Sequence, residues 1–317
     1  MKVLVTGSNG FIGSTLCDQL ADADVGFIRA VRNPHSGAVA VGSINGETDW
    51  SEALQDVGAV VHLAARVHVL NENTLDSEAE FQKVNVDGTA NLARQAAQAG
   101  VSRFVFISSI GVHGQNSGEV PFSADDLPAP HNQYSRSKQR AEQELKKVCD
   151  ETEMESVVIR PPLVYGPGEG ANFLRLMKWI DSGIPLPLGA LKNLRSLVFA
   201  GNLCNLILKC LTHPAAAGET FLVSDDRDIS TPELFRMMGS KMGKPARLFP
   251  VPQPMLCLAG GLLGRSRDIT RLCGSLQLDI SHTQKVLGWT PPFTLEAGVK
   301  KTVLDYLEEK KKGRISS

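Results

Sequence analysis

Residues 3–16, VLVTGSNGFIGSTL, run from a β-branched apolar segment through three glycines into a helical pattern. Gly7, Gly10 and Gly13 thus stand at a strand-to-helix turn. A backbone that must turn tightly, approach a pyrophosphate and let a helix pack on its strand needs glycine there, and the helix N–H groups then face the negative charge. The spacing is G-x2-G-x2-G, not the usual G-x-G-x2-G, and glycine ends many strands for steric reasons alone. The context is what counts: this turn follows the first strand and opens the first helix, so the reading is dinucleotide binding, with Phe11 and Ile12 in the same loop.

Working outward, short apolar runs at 2–6, 26–31, 59–63, 104–108 and 156–160 read as strands, and segments near 11–21, 78–99 and 133–152 read as helices. Continuous apolar strands alternating with amphipathic helices predict an α/β fold, a Rossmann-type doubly wound parallel sheet. Beyond residue 160 the texture changes. Pro and Gly cluster in RPPLVYGPGEG and SGIPLPLG, and helices follow without a regular strand partner. STPELFRMMGSKMG carries a start signal, Thr231 as N-cap with Pro232 at the first helical position, and Gly243 as its end. The expected organisation is a dinucleotide-binding domain, 1–160 joined by 196–224, and a smaller, mainly helical substrate domain, 161–195 with 225–317.

The chain has 317 residues, 42% hydrophobic and 21% charged, with a formal net charge of −1. That balance argues against a nucleic-acid partner or an anionic surface recognised by overall charge. Six scattered cysteines (Cys17, Cys149, Cys204, Cys210, Cys257, Cys273) read as small buried hydrophobes of a reducing compartment, and the seven histidines have no metal-ligand spacing, so no metal is expected. With no leader pattern before KVLVTG and no apolar run long enough to span a bilayer, a cytoplasmic protein without membrane insertion is expected.

The second strand ends FIRAVRNP. An acid that grips the ribose of NAD is expected about 20 residues past the glycines, and Arg32 stands there. Arginine suits a 2′-phosphate and offers no acceptor to a ribose hydroxyl, which favours NADP(H), with NAD(H) possible. The alternative is a solvent arginine with the acid supplied elsewhere.

TGSNGFIG, VVHLAA, NVDGTANL, FVFISSIGVHG, YSRSK and RPPLVYGPG follow one another in this order. In this the chain resembles the extended short-chain dehydrogenases/reductases, the NAD-dependent epimerase/dehydratase family acting on nucleotide sugars. Its later segments are similar to UDP-glucose 4-epimerase-like proteins and 4-keto-sugar reductases of surface-polysaccharide synthesis. The resemblance implies roles for single residues. Tyr134 is the acid/base, and Lys138, one helical turn on, binds ribose hydroxyls and lowers the tyrosine pKa from near 10. Ser109 holds the carbonyl oxygen beside Tyr134.

Ser43 and Ile44 stand where the family has Asp and an apolar residue against adenine; the serine departs from the pattern. By the same resemblance Leu63, Ala64 and Ala65 are expected to line the cofactor, Asn85 to support the strand ends near the nicotinamide, and Pro161 and Val164 to lie beside the carboxamide. His62 reads as structural. For the sugar nucleotide, Asn172, Arg195 and Arg271 match diphosphate-binding positions, although only the arginine of the family's R-D-Y-x-H-V survives in RSLVFA. The segments 78–99 and 133–152 resemble the two helices through which members form homodimers.

The leading expectation is NAD(P)H-dependent reduction of the 4-keto group of a UDP-linked 6-deoxy-N-acetylhexosamine. A UDP-sugar 4-epimerase is the second, and a non-catalytic dinucleotide sensor the third.

Overall fold

A computed structural model of the chain describes residues 1–67, 75–262, 264 and 272–315. The described residues form a seven-stranded parallel sheet in the order β3-β2-β1-β4-β5-β6-β9. Its strands are β1 (Val3–Thr6), β2 (Phe27–Val31), β3 (Val39–Ala40), β4 (Ala59–His62), β5 (Arg103–Ile107), β6 (Glu155–Arg160) and β9 (Thr220–Leu222). A separate two-stranded pair joins β7 (Leu163–Tyr165) to β8 (Leu197–Phe199).

Strand side chains alternate between two cores, one on each face of the sheet. Val3, Val5, Val61, Val105, Ile107, Val157 and Ile159 pack with Leu16 and Leu20 of α1 (Phe11–Asp22) and Leu203, Leu206 and Ile207 of α6 (Ala200–Thr212). Leu4, Val60, Phe104 and Phe106 face the other way, onto Leu92 and Ala96 of α3 (Gly88–Gln98) and Ala141, Leu145 and Val148 of α4 (Gln133–Asp150). Because both faces are covered, the strands read as unbroken apolar runs. A third core, around Tyr165, Phe173, Phe199, Phe235, Val299 and Tyr306, unites α5 (Asn172–Ser182), α7 (Thr231–Lys241) and α10 (Leu295–Lys311). The remaining helices are α2 (Leu75–Phe81), α8 (Gln253–Leu262) and α9 (Ser281–Leu287).

The chain leaves β1 toward β2 on one side and returns to β4 on the other, so a crevice opens beyond the carboxyl ends of these central strands. Two local expectations shift. The single helix expected over 78–99 is divided: a π-helical turn, Gln82–Asp87, separates α2 from α3. The wider turn accompanies a buried Asn85 whose side chain is fully engaged, as such turns do near functional sites. The N-cap of α7 is Ser230, whose Oγ accepts from the Glu233 N–H, with Thr231 the first helical residue.

Candidate active site

The β1–α1 loop is closed by an N–H of Gly10 donating to the Gly7 carbonyl at 3.0 Å. Gly7 takes a φ of +67°, and a Cβ there would stand 2.9 Å from the Ala64 nitrogen, so the 63–65 backbone lies directly against the loop. At Gly13 a Cβ would be 2.1 Å from the Gly7 carbonyl oxygen; no other residue fits. The first turn of α1 has neither a side-chain cap nor an acidic residue, leaving its backbone N–H groups for an anion. These features fit a dinucleotide pyrophosphate. Phe11 reaches toward the loop after β7, with its ring tip 3.4 Å from where a Gly166 Cβ would be, and Ile12 packs on the sheet core.

Beyond β2 a cleft of about 340 Å³ is lined by Ser8, Asn9, Ser14, Arg29, Arg32, Asn33 and His35 among others, and its described lining includes no carboxylate. Arg29 was not among the residues picked from sequence; its signal was two cations, at 29 and 32, around one strand end. Ser43 is exposed, and Ile44 is half-buried against α3, where its Cγ2 would stand 2.6 Å from a Cβ at Gly88.

Asn132 caps α4, its Oδ1 accepting from the Ser135 N–H at 2.8 Å. Tyr134 and Lys138 follow one turn apart on the inner side of this helix. Ser109 Oγ accepts from the Gly111 N–H at 3.1 Å. A Cβ on Gly111 would lie 2.5 Å from Ser135 Oγ and 3.3 Å from Ser109 Oγ, so glycine lets the start of α4 close on the serine loop. Ser109, two residues past β5, thus lies against the first turn of α4, which carries Tyr134. Lys138 is 2% exposed, and its ammonium lies over the Phe106 ring, 4.2 Å from the centroid.

Burial pushes the Lys138 amine down to about 7, partly countered by the Glu142 carboxylate. Burial pushes the Tyr134 phenol up to about 12, not down as the tyrosine–lysine pairing implied. Burial alone accounts for that rise, because it disfavours the charged phenolate.

A chain of buried hydrogen bonds ties the loop strand to α4. Ala64 N–H donates to Thr6 Oγ1, and Thr89 Oγ1 donates to the Asn85 carbonyl. With Thr89's proton committed, His62 Nε2–H must donate to Thr89 Oγ1 (3.0 Å), and His62 Nδ1 accepts from Thr6 Oγ1 (2.7 Å). Both ring nitrogens are satisfied in the neutral form; burial, with Lys138 nearby, holds His62 down to about 3. Asn85 exchanges hydrogen bonds with both backbone groups of Arg66 and donates to Ser137 Oγ, which donates to the Tyr134 carbonyl.

A second network was not foreseen. Glu142, one turn beyond Lys138, accepts from Ser108 and from two guanidinium nitrogens of Arg160. Arg160 also donates to His113 Nε2 at 2.8 Å. The signal lay in the four-residue rhythm Tyr134, Lys138, Glu142.

Pro161 is buried, and its carbonyl accepts from the Ile110 N–H; Val164 lies in β7 paired with Val198. Asn172 begins α5, where Glu169 accepts from the N–H groups of residues 171–174. That helix end already carries a carboxylate. Arg195 donates to the Gly274 carbonyl, and Arg271 lies outside the described residues.

Fold and loop define an α/β protein of the dinucleotide-binding type, with Ser109 just past β5 and Tyr134 and Lys138 on the helix packed beside it. The sequence pattern described as "NAD dependent epimerase/dehydratase family" matches residues 3–224. A Vibrio cholerae protein named UDP-glucose 4-epimerase is 44% identical over 97% of this chain and 96% of its own length. An Escherichia coli N-acetyl-alpha-D-glucosaminyl-diphospho-ditrans,octacis-undecaprenol 4-epimerase is 26% identical, covering 95% and 94%. Among solved structures, a UDP-glucuronic acid 4-epimerase from Bacillus cereus in complex with NAD superposes with a TM-score of 0.78 at 22% identity, over 97% of this chain and 99% of that one. The chain belongs to the NAD-dependent epimerase/dehydratase family and is an enzyme of the extended short-chain dehydrogenase type.

Proposed function

We propose that the protein transfers hydride at C4 of a UDP-linked hexose or N-acetylhexosamine, with a nicotinamide dinucleotide held along the β1–α1 loop. The observation that supports this reading is Ser109, just past β5, against the first turn of α4, which bears Tyr134, with Lys138 over Phe106 of β5 and a loop shaped for pyrophosphate at the end of β1. When bound, the nicotinamide supplies or accepts the hydride. Tyr134's hydroxyl gives a proton to, or takes one from, the C4 oxygen, and Ser109's hydroxyl holds that oxygen in place. Lys138 donates to ribose hydroxyls and, once charged, favours the phenolate. Asn85, through Ser137, fixes the first turn of α4 so that the tyrosine meets the substrate in one orientation. Arg195, Asn172 and Arg271 are the candidates for the diphosphate; Glu169 would have to release the N-terminus of α5 for that end to take part.

The redox-neutral form of this chemistry is 4-epimerisation, in which the hydride returns to the opposite face of the sugar. The name of the 44% identical Vibrio cholerae relative supports it. A second reading, net reduction of a 4-keto-6-deoxy-N-acetylhexosamine as expected first from the sequence, is favoured by the arginine-lined cleft beyond β2. Those cations suit NADP(H), the reductant that a net reductase consumes. We also propose a homodimer through α3 and α4, whose outward side on α4 carries the exposed Arg136, Arg140, Gln143, Lys146 and Lys147. Sedimentation at twice the 34.2 kDa chain mass is the expected result.

Product identification separates the readings. Interconversion of UDP-glucose and UDP-galactose, or of their N-acetylated forms, without added cofactor identifies the epimerase. Stoichiometric oxidation of NADPH by a UDP-4-keto-6-deoxy-N-acetylhexosamine identifies the reductase. Tyr134→Phe should lower either rate about 10²–10⁴-fold while cofactor still binds. Unchanged turnover in that variant would remove Tyr134 from the chemistry.

A further inference from the structure

His62 ends β4, stands in register with Thr6 at the end of β1, and is fully buried. Its two ring nitrogens serve two different parts of the candidate site. On one side, Ala64 N–H donates to Thr6 Oγ1 at 3.2 Å, and Thr6 Oγ1 donates to His62 Nδ1 at 2.7 Å. The Ala64 nitrogen is the atom that a Cβ on Gly7 would meet at 2.9 Å, so this branch ends on the backbone behind the dinucleotide loop. On the other side, His62 Nε2–H donates to Thr89 Oγ1 at 3.0 Å, and Thr89 donates to the Asn85 carbonyl at 2.7 Å. The Asn85 side chain donates to Ser137 Oγ at 2.9 Å, and Ser137 to the Tyr134 carbonyl at 2.7 Å. The imidazole also stacks on Phe106, with centroids 5.8 Å apart, and Phe106 is the ring that carries the Lys138 ammonium.

We propose that His62 is a positioning residue for hydride transfer: through Thr6 it sets the dinucleotide loop, and through Thr89 and Asn85 it sets the turn of α4 that bears Tyr134. This role rests on the hydride-transfer reading given under the proposed function. The chemistry of the ring is what selects it. A side chain needed only to pack against Phe104 and Phe106 would be apolar, because burying polar atoms without need costs free energy. Neutral imidazole instead offers an acceptor at one nitrogen and a donor at the other. Each hydroxyl on either side uses its single proton on the next acceptor, so the bonds from Ala64 to the Asn85 carbonyl run in one direction. Hydrogen bonds aligned in this way in a dry interior strengthen one another. A shift at either end is therefore felt at the other, and a misplacement of about 1 Å at reacting groups can cost about 10²-fold in rate.

Two substitutions cut the two branches separately. Asparagine places its side-chain oxygen near the Nδ1 position, and glutamine its amide nitrogen near the Nε2 position. His62→Asn thus keeps an acceptor for Thr6 and loses the donor to Thr89, while His62→Gln does the reverse. The measurements are fluorescence titration with NADH and NADPH, and turnover of the UDP-sugars named above at saturating dinucleotide. His62→Gln should raise the dinucleotide dissociation constant roughly ten-fold and leave kcat within about two-fold. His62→Asn should leave the dissociation constant within about two-fold and lower kcat roughly ten-fold or more. If these variants do not fold, Thr6→Val and Thr89→Val remove the same two links with little change of shape, and Thr89→Ser should restore the kcat that Thr89→Val loses. Two results overturn the proposal. One is that both members of a pair change the dissociation constant and kcat alike; the other is that melting temperatures fall while both quantities keep their parent values. His62 would then only support the fold. A parent that binds dinucleotide but turns over no UDP-sugar removes the sugar reaction instead. The binding contrast still decides in that case, since equal dissociation constants for His62→Gln and His62→Asn would overturn the positioning role as well.

Discussion

Arg160 grips Glu142 through two contacts, Nε to Oε1 at 3.0 Å and Nη2 to Oε2 at 2.6 Å, with side chains only 9% and 10% exposed. The pair joins the end of β6 to the face of α4 that carries Tyr134 and Lys138. Removing one partner strands the other's charge in the interior, which typically costs about 3–5 kcal/mol. Glu142→Ala and Arg160→Ala should each lower the unfolding free energy by that order in urea titrations. The double variant should lose clearly less than the two losses together, because one change already breaks the contact. Additive losses would mean that each residue acts through other neighbours.

Gly13 offers a test of the loop. Its Cβ position is 2.1 Å from a backbone oxygen, so Gly13→Ala must push the Gly7 carbonyl aside and open the turn. Gly37 is the control: its φ is +73°, yet nothing lies within 4 Å of its Cβ position, so an alanine there costs about 1–2 kcal/mol of backbone strain alone. Gly13→Ala should destabilise by more than this and should abolish the rise in melting temperature given by NADPH. Gly37→Ala should keep that rise.

The sheet was legible because its strands are buried on both faces and therefore appear as apolar runs. β1, β2, β4, β5 and β6 fall within a residue or so of the expected bounds. What stayed hidden was short or tertiary. β7 and β8 are three residues each and owe their existence to pairing with one another, which no local pattern records. The π turn around Asn85 looks like continuous helix in sequence, since its cause is a set of partners, Arg66 and Ser137, at positions 19 residues before and 52 after. Tyr134 and Lys138 stood out only through the ordered motifs around them, since residues one turn apart are neighbours on every helix. Their electrostatics were not readable there, because desolvation depends on what packs above them.

Acid should unfold the protein partly through two histidines. His62 is held to about 3 and His113 to about 4, both chiefly by burial, against an ordinary value of 6.5. Below pH 6.5 the unfolded chain takes up protons that the folded chain refuses, so their contribution is full above that pH. It is lost as pH falls toward 4 and then 3, at roughly 1.4 kcal/mol per pH unit for each histidine. Lys138, held to about 7 against 10.5, acts in another window: stability should rise from pH 7 toward 10.5, where the unfolded chain still binds the proton. Urea midpoints from pH 4 to 10 check both slopes. His62→Asn should flatten the acid slope, and an unchanged slope would show that His62 titrates normally.

Arg32 is the residue at which the proposed preference for NADP(H) can be tested. It lines the cleft beyond β2 with Arg29, Asn33 and Ser14, and no carboxylate is found in that described lining to accept from a ribose diol. A 2′-phosphate placed there would meet charge-assisted donors, each contributing about 1.5–3 kcal/mol. Losing one should therefore raise the NADPH dissociation constant by roughly 10–100-fold, whereas NADH, which has no 2′-phosphate, should change little. Arg29→Ala should act in the same direction but more weakly, since its guanidinium lies over the Phe27 ring at 5.5 Å. Arg32→Asp should go further and bring NADH binding up, because the new carboxylate can accept from both ribose hydroxyls. Fluorescence titration of NADPH and NADH against the three variants measures this without any turnover. If Arg32→Ala weakens both dinucleotides equally, the arginine grips the diphosphate that they share. The case for NADP(H), and with it the reductase reading, would then lose its structural support.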